Sequence, residues 1–410
     1  MSEVGSAITY LRSPLAVRAR CEQILEVGLA GKLAHFTVDL SALPAVIAKV
    51  VEVTRATYPD LTVPYLGRMS HFRAGGVDRI ESLQQQMNVR GTTPEERPRA
   101  LADLVVVSAL LDTASNESWR FREPGTGALF ARSEGIALAS LQAFRSGLFS
   151  SDPDNPLRAD ANALRTLDPV RLAAAFQITI DNPLHALEER TKLVRALGGA
   201  VAMAPRIFRY GRPGGLVDAL RATGTTLTAP AILGALIDGL GPIWPATTTL
   251  GEGNAIVALG DVWRHPAAGG SGPSEGFVPF HARTQWLAYS LFEPLEGAGF
   301  SIQQPGALTG IPEQRNGGLL VDLGVLVPRA ATTRDTIHAI GDELVVEWRA
   351  LTVALLDRVA DGVQKALAKS PQELPLSCVL QGTWSAGRAV AAELRPSGMP
   401  PIRVADSSVL

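Results

Sequence analysis

The stretch Asp335–Ala368, DTIHAIGDELVVEWRALTVALLDRVADGVQKALA, decides the fold class. Leu344, Val345, Trp348, Leu351, Leu355, Leu356, Val359 and Val363 recur at three- and four-residue intervals, so one side of a helix collects them all. The run is far longer than a strand, and it predicts a helix over about 335–368 lying along a core. The same periodicity predicts helices from Pro14 to near Gly31, after Ser41-Ala-Leu-Pro44, and at about 134–148, 185–204, 214–222, 229–240 and 280–293. Thr93-Pro-Glu-Glu96 reads as a capping box, with Thr93 as N-cap, Pro94 in the first turn and Glu96 reaching back. Asp168-Pro169 repeats the cap-then-proline pattern. Strand signals are confined to Ala34–Leu40 and Pro400–Val404. The chain therefore reads as all-α or mainly α, and no fixed-period repeat suggests a solenoid.

At 410 residues the chain exceeds what one hydrophobic core usually holds, so two lobes are expected. Ser150-Ser-Asp-Pro-Asp-Asn-Pro156 is the candidate break, dividing the chain into 1–150 and 151–410. The Gly/Pro-rich segment His265–Gly276 reads instead as a mobile loop over a site. Hydrophobic residues at 46% and charged residues at 19% suit a compact fold, and 38 basic against 40 acidic side chains argue against nucleic-acid or acidic-membrane binding. No apolar run is long enough to span a bilayer, and the first residues lack the apolar core of a secretory signal, so a cytoplasmic location is expected. Cys21 and Cys378 read as small buried hydrophobes. No clustered Cys/His spacing implies a metal, and no phosphate loop, dinucleotide fingerprint or serine-hydrolase elbow implies a cofactor or those chemistries. The expected partner is a small molecule, and no feature specifies an oligomer.

Five segments carry polar residues that a helical core does not demand. Ser70–Arg79 sets two glycines before a helix, with Arg73 and Arg79 beside backbone N–H groups that can take an anion; a plain helix start explains it too. In Trp119–Gly127, Trp119 and alternating arginines can stack a planar group, while Ser133 reads as a cap and Glu134 as a first-turn acid. Gly260–His265 offers Asp261, Trp263 and Arg264, as a pocket edge or a surface ion cluster. On Phe280–Phe292, ended by Glu293-Pro294, His281, Gln285 and Tyr289 form a polar stripe, equally a cavity wall or a core network. Finally, Glu313 follows a proline and precedes Arg315, Asn316 and two glycines, between apolar runs. A carboxylate so bracketed is the natural place for a tuned pKa; a surface Glu–Arg pair is the plainer account. Gly382–Arg388 reads as a helix opening that adds one more arginine.

Taken in order, SHFRAGGVDR, LLDTASNESWRFREPGTG with ARSEGIALAS, GDVWRHP, FVPFHARTQWLAYSLFEPLEGAG with LTGIPEQRNGGLLVDLGVL, and GTWSAGR resemble the uracil-catabolism protein 4 family over nearly the whole chain. That resemblance implies a place in non-reductive uracil degradation, at the cleavage of a ribosylurea-type intermediate to urea and a sugar. A weaker similarity, to queuosine-salvage nucleosidases, implies a two-lobed fold like that of DNA glycosylases, a cleft between the lobes and metal-independent N-glycosidic hydrolysis. By that likeness Glu313 takes the position of the catalytic aspartate, Gln285 the pocket helix and Arg315 the following arginine. His281, Asp261, Trp263, Trp119, Arg73 and Arg79 are then expected to bind substrate or close the pocket. Ala282 stands where the family commonly has lysine, Gln314 where tyrosine is frequent, and Asp406-Ser-Ser408 where an Asp-Gly-Thr ending is usual. If that lysine binds phosphate, its loss bears on whether the substrate is phosphorylated.

Overall fold

The computed structural model describes residues 2–112, 118–244, 248–252 and 255–405. The Asp406–Ser408 segment lies outside them, as does part of the LLDTASNES motif. Sixteen α-helices dominate the described residues, and the strands, none longer than four residues, pair only two by two. The protein is mainly α. No helix among the described residues is long and apolar enough to cross a membrane.

Contacts group the chain into two compact units, one of Met1–Leu66, Trp244–Trp286 and Gln304–Leu410, the other of Gly67–Ile243 and Leu287–Gln303. The 150–156 segment lies inside the second unit, so this grouping is not the one given by a single cut at 150.

The first unit is built around the helix Glu343–Leu367. Every apolar residue of the predicted stripe is buried on it. Each such Leu or Val contributes roughly 1.5–3 kcal/mol of gross transfer free energy, so the face outweighs intrinsic helix propensity. Pro14–Leu29 and Leu43–Thr57 pack against this helix, and Leu376–Leu394 packs against both Leu43–Thr57 and Gln314–Asp322. The long helix starts later than the periodicity suggests, because Ile337–His338 is drawn into a parallel pair with Arg403–Val404. Leu367 ends it, since Ala368 turns left-handed at φ 52°. Phe36–Val38 pairs antiparallel with Leu326–Pro328, and Val262–Arg264 with Phe277–Pro279. The Gly/Pro-rich loop between the latter strands is tied down: the buried Arg20 donates to Ala268 O and Ser274 O, and Gly276 N donates to Gly269 O. A guanidinium held by the loop's own carbonyls makes it a fixed hairpin end rather than a free lid.

The second unit centres on Glu96–Leu111, where every residue from Ala102 to Leu111 is buried. The predicted capping box is not formed. Regular helix begins at Glu96, and its carboxylate pairs with Arg99 and Arg212, which outcompete the backbone N–H it was expected to cap. The Asp168-Pro169 cap does form, with Asp168 accepting from Val170 N at 2.8 Å. The helix Ala282–Gly297 supplies its first turn to the first unit and the rest to the second. It continues through Pro294, where the sequence suggested a stop; one proline removes one backbone donor, and here the helix tolerates that.

Candidate active site around Glu313

Glu313 is the N-cap of Gln314–Asp322. Its Oε2 accepts from Arg315 N at 2.9 Å and its Oε1 from Asn316 N at 2.6 Å. Both oxygens thus meet the positive end of a helix, which favours the ionised form. Burial nevertheless wins and raises the carboxyl above its ordinary range, against the two N–H groups and the Arg315 charge. The residue keeps partial solvent access. Two N–H bonds leave further lone pairs on the carboxylate for water or substrate.

The cap is braced from three sides. Asn316 donates to Ile311 O at 2.9 Å and accepts from Thr383 Oγ1 at 2.8 Å. Trp348 packs so closely on Gly317 that an added Cβ would lie 2.7 Å from its ring. At Gly387 an added Cβ would lie 2.3 Å from Arg315 O, so Leu376–Leu394 approaches the cap at backbone distance. Arg315 lies over the Trp384 ring at 5.3 Å and Arg388 near the same ring at 5.8 Å, all three partly exposed. Trp384 and Arg388 sit mid-helix rather than at the helix opening the sequence suggested.

Gln285 is fully buried and makes three bonds: Nε2 to Phe280 O at 2.9 Å and to Thr309 Oγ1 at 2.8 Å, and Oε1 from Thr309 N at 2.9 Å. It therefore holds the segment that leads into Glu313. His281 precedes the helix, in the left-handed region at φ 48°, so it does not continue a helical stripe with Gln285. Its Nε2 lies 2.9 Å from Leu11 O, and burial pulls its pKa down. Tyr289 is buried edge-on to Phe292 at 5.5 Å.

Asp261 is bound bidentately by Arg349, at 2.9 and 2.8 Å, and also accepts from Trp263 Nε1 at 2.7 Å and Ala282 N at 3.0 Å. Burial alone would raise this carboxyl, but Arg349 and the other donors more than offset it and hold it below its usual range. Arg349 also lies over the Phe280 ring at 4.1 Å. Sequence reading gave no role to Arg349, Trp384, Asn316 or Thr383. A charge beside Trp348 on an apolar helix face is the one local hint that Arg349 needed a buried partner.

The remaining candidates lie in the second unit, each with partners inside the protein. Arg73 chelates Glu293 and donates to Asp78 at 2.9 Å. Arg79 pairs with Glu123 and donates to Ala74 O and Val77 O at 2.7 and 2.9 Å. The helix N–H groups beside them are capped by Asp78, which accepts from Ile80 N and Glu81 N. Trp119 is fully buried, donates to Phe176 O at 2.9 Å and stacks on Phe176. Ser133 is not the cap its sequence suggested: Ala131 holds that position, and Ser133 bonds Asp112.

Fold and site together define a mainly helical protein whose candidate catalytic carboxylate caps a helix braced against two longer ones. The family model described as a protein of unknown function (DUF1688) matches residues 10–410, and the chain belongs to that family. It is 36% identical over 398 residues to "Protein urg3" of Schizosaccharomyces pombe, covering 95% of each chain. It is 34% identical over 437 residues to "Uracil catabolism protein 4" of Lachancea kluyveri, covering 98% of each.

Proposed function

We propose that this chain acts in uracil degradation, and that it hydrolyses the N-glycosidic bond of a ribosylurea-type intermediate to urea and a ribose sugar. The pathway is supported by the full-length similarity to a relative named for uracil catabolism. The reaction is supported by one observation above the rest: a carboxylate held by two backbone N–H groups while burial raises its pKa. In this reading the C1′–N bond breaks with its electron pair leaving on the urea nitrogen, which takes up a proton from solvent, and solvent later recovers the one that the attacking water gives up. Glu313 stabilises the oxocarbenium charge at C1′ and accepts a proton from the water that adds there. Its raised pKa brings it nearer the value at which a carboxylate exchanges protons efficiently. Arg315, beside Trp384, binds sugar hydroxyls or a 5′-phosphate. Gln285 positions the Thr309 segment, and the Asp261–Arg349 pair fixes the start of the Gln285 helix through Ala282 N. Arg73 and Arg79 would have to exchange carboxylate partners to meet a phosphate. The test is to supply ribosylurea and its 5′-phosphate to the purified protein and assay urea.

A second reading has its own support: Glu313, Gln285, His281 and Asp261 all have protein partners already. Such an internally bonded set suits a non-catalytic protein that binds a pathway intermediate or regulates the route. It predicts calorimetric binding of the same compounds with no urea released.

A further inference from the structure

We propose that His35, Glu343 and Glu347 form a divalent-cation site in the first unit. Each offers one ligand atom, and the three atoms lie within 4.8 Å of one another. Glu343 and Glu347 are four residues apart in the first turns of Glu343–Leu367, so one helix face carries both carboxylates. His35 arrives beside the strand Phe36–Val38, with Nε2 3.3 Å from Glu343 Oε1.

The independent sign of a ligand is Glu347, which is fully buried. Its Oε1 accepts from His35 N at 3.1 Å and Phe36 N at 2.8 Å, whereas Oε2 has no hydrogen-bond partner. A buried carboxylate oxygen left unsatisfied is costly, and a cation removes that cost. The nearest basic atom, His265 Nε2, is 3.4 Å away without hydrogen-bond geometry. His265 Nδ1 accepts from Ala267 N at 3.1 Å, so that nitrogen is not free to bind an ion, and Nε2 makes an ion pair with Glu347 only when the ring is protonated. That makes His265 an outer support rather than a ligand.

Burial grades from Glu347 inside, through the half-buried His35, to the exposed Glu343, which gives an ion a route in. One imidazole nitrogen with two carboxylate oxygens suits Zn²⁺ or Mn²⁺ and leaves positions for water. Such an ion would clasp the strand entry to the helix that carries Trp348 and Arg349. The ligands are too scattered in sequence for a spacing motif to show them. The site shares no residue with the Glu313 setting and does not depend on the hydrolase reading.

The experiment uses the full chain, stripped with EDTA and dialysed against Zn²⁺ and, separately, Mn²⁺, with bound metal measured by mass spectrometry and Tm by calorimetry. One equivalent of at least one ion retained per chain, with Tm raised by several degrees, is the expected result. His35→Ala and Glu343→Gln, neither at a buried side chain, should each weaken retention at least about tenfold and abolish the Tm rise, with an unchanged helical circular dichroism spectrum. Retention of neither ion by the wild type, or equal retention and Tm shift in both variants, would overturn the proposal.

Discussion

Trp348 donates its indole N–H to Gly317 O at 3.1 Å, so the central helix of the first unit grips the helix that Glu313 caps. The next residue, Arg349, grips Asp261. Two consecutive side chains on one helix therefore fix both the candidate catalytic segment and the start of the helix bearing Gln285. Position of the carboxylate is thus a property of the core.

Gly387 is the sharpest test of that bracing. An alanine Cβ would lie 2.3 Å from Arg315 O and 2.9 Å from its carbonyl carbon, both backbone atoms. Gly387→Ala must push Gln314–Asp322 away, and overpacking of this kind costs about 1–3 kcal/mol. Urea denaturation should show the loss, and the displaced carboxylate should lower turnover beyond what reduced stability explains.

The Asp261–Arg349 pair is a buried ion pair whose partners leave no charge to spare. Arg349→Ala strands Asp261 inside the protein, and we expect a loss of about 3–5 kcal/mol. The double variant Asp261→Asn with Arg349→Met should recover a good part of it, measured by the same denaturation series.

Asp112 gives a pH signature. Burial alone would raise its carboxyl, but Arg68, His71 and Arg190 overcome this and bring it down to about 2. A depressed acid contributes stability above its unfolded pKa and loses it as pH falls through the folded value. Wild type should therefore lose on the order of 2 kcal/mol between about pH 4 and pH 2 on this account, and Asp112→Asn, already destabilised, should show a flatter profile there.

Much of the fold was legible because it rests on long apolar periodicity: the stripe from Leu344 to Val363 is buried throughout. Helix starts were less so, since Glu96 and Ile337 answer to arginines and a strand partner from distant sequence. For the site, the Pro-Glu-x-Arg context left open a carboxylate of tuned pKa or a surface Glu–Arg pair; Glu313 is partly exposed, and burial raises its pKa. The bracing was not legible, because Thr383 meets Asn316 across 67 residues and Arg349 meets Asp261 across 88. Polar residues whose pattern fits a cavity wall and a core network equally, Gln285 above all, are bonded within the protein, as a buried amide must be.

Glu313 ties stability to function. Its folded pKa is raised, so ionisation above that value costs native stability, and the cost disappears as pH falls toward the unfolded value of about 4.3. Glu313→Gln should therefore lose this pH dependence, read by Tm against pH, while its amide nitrogen, a donor, leaves one of the two backbone N–H groups uncapped. A helical circular dichroism spectrum like that of wild type qualifies the variant as a functional probe.

The most direct measurement is urea release by wild type and Glu313→Gln, each given ribosylurea and its 5′-phosphate. Our account predicts turnover of at least one substrate by wild type and a fall of about 10²–10³-fold in kcat for the variant, with the fold intact. Undiminished urea release by Glu313→Gln, or binding without any urea from wild type, would contradict it.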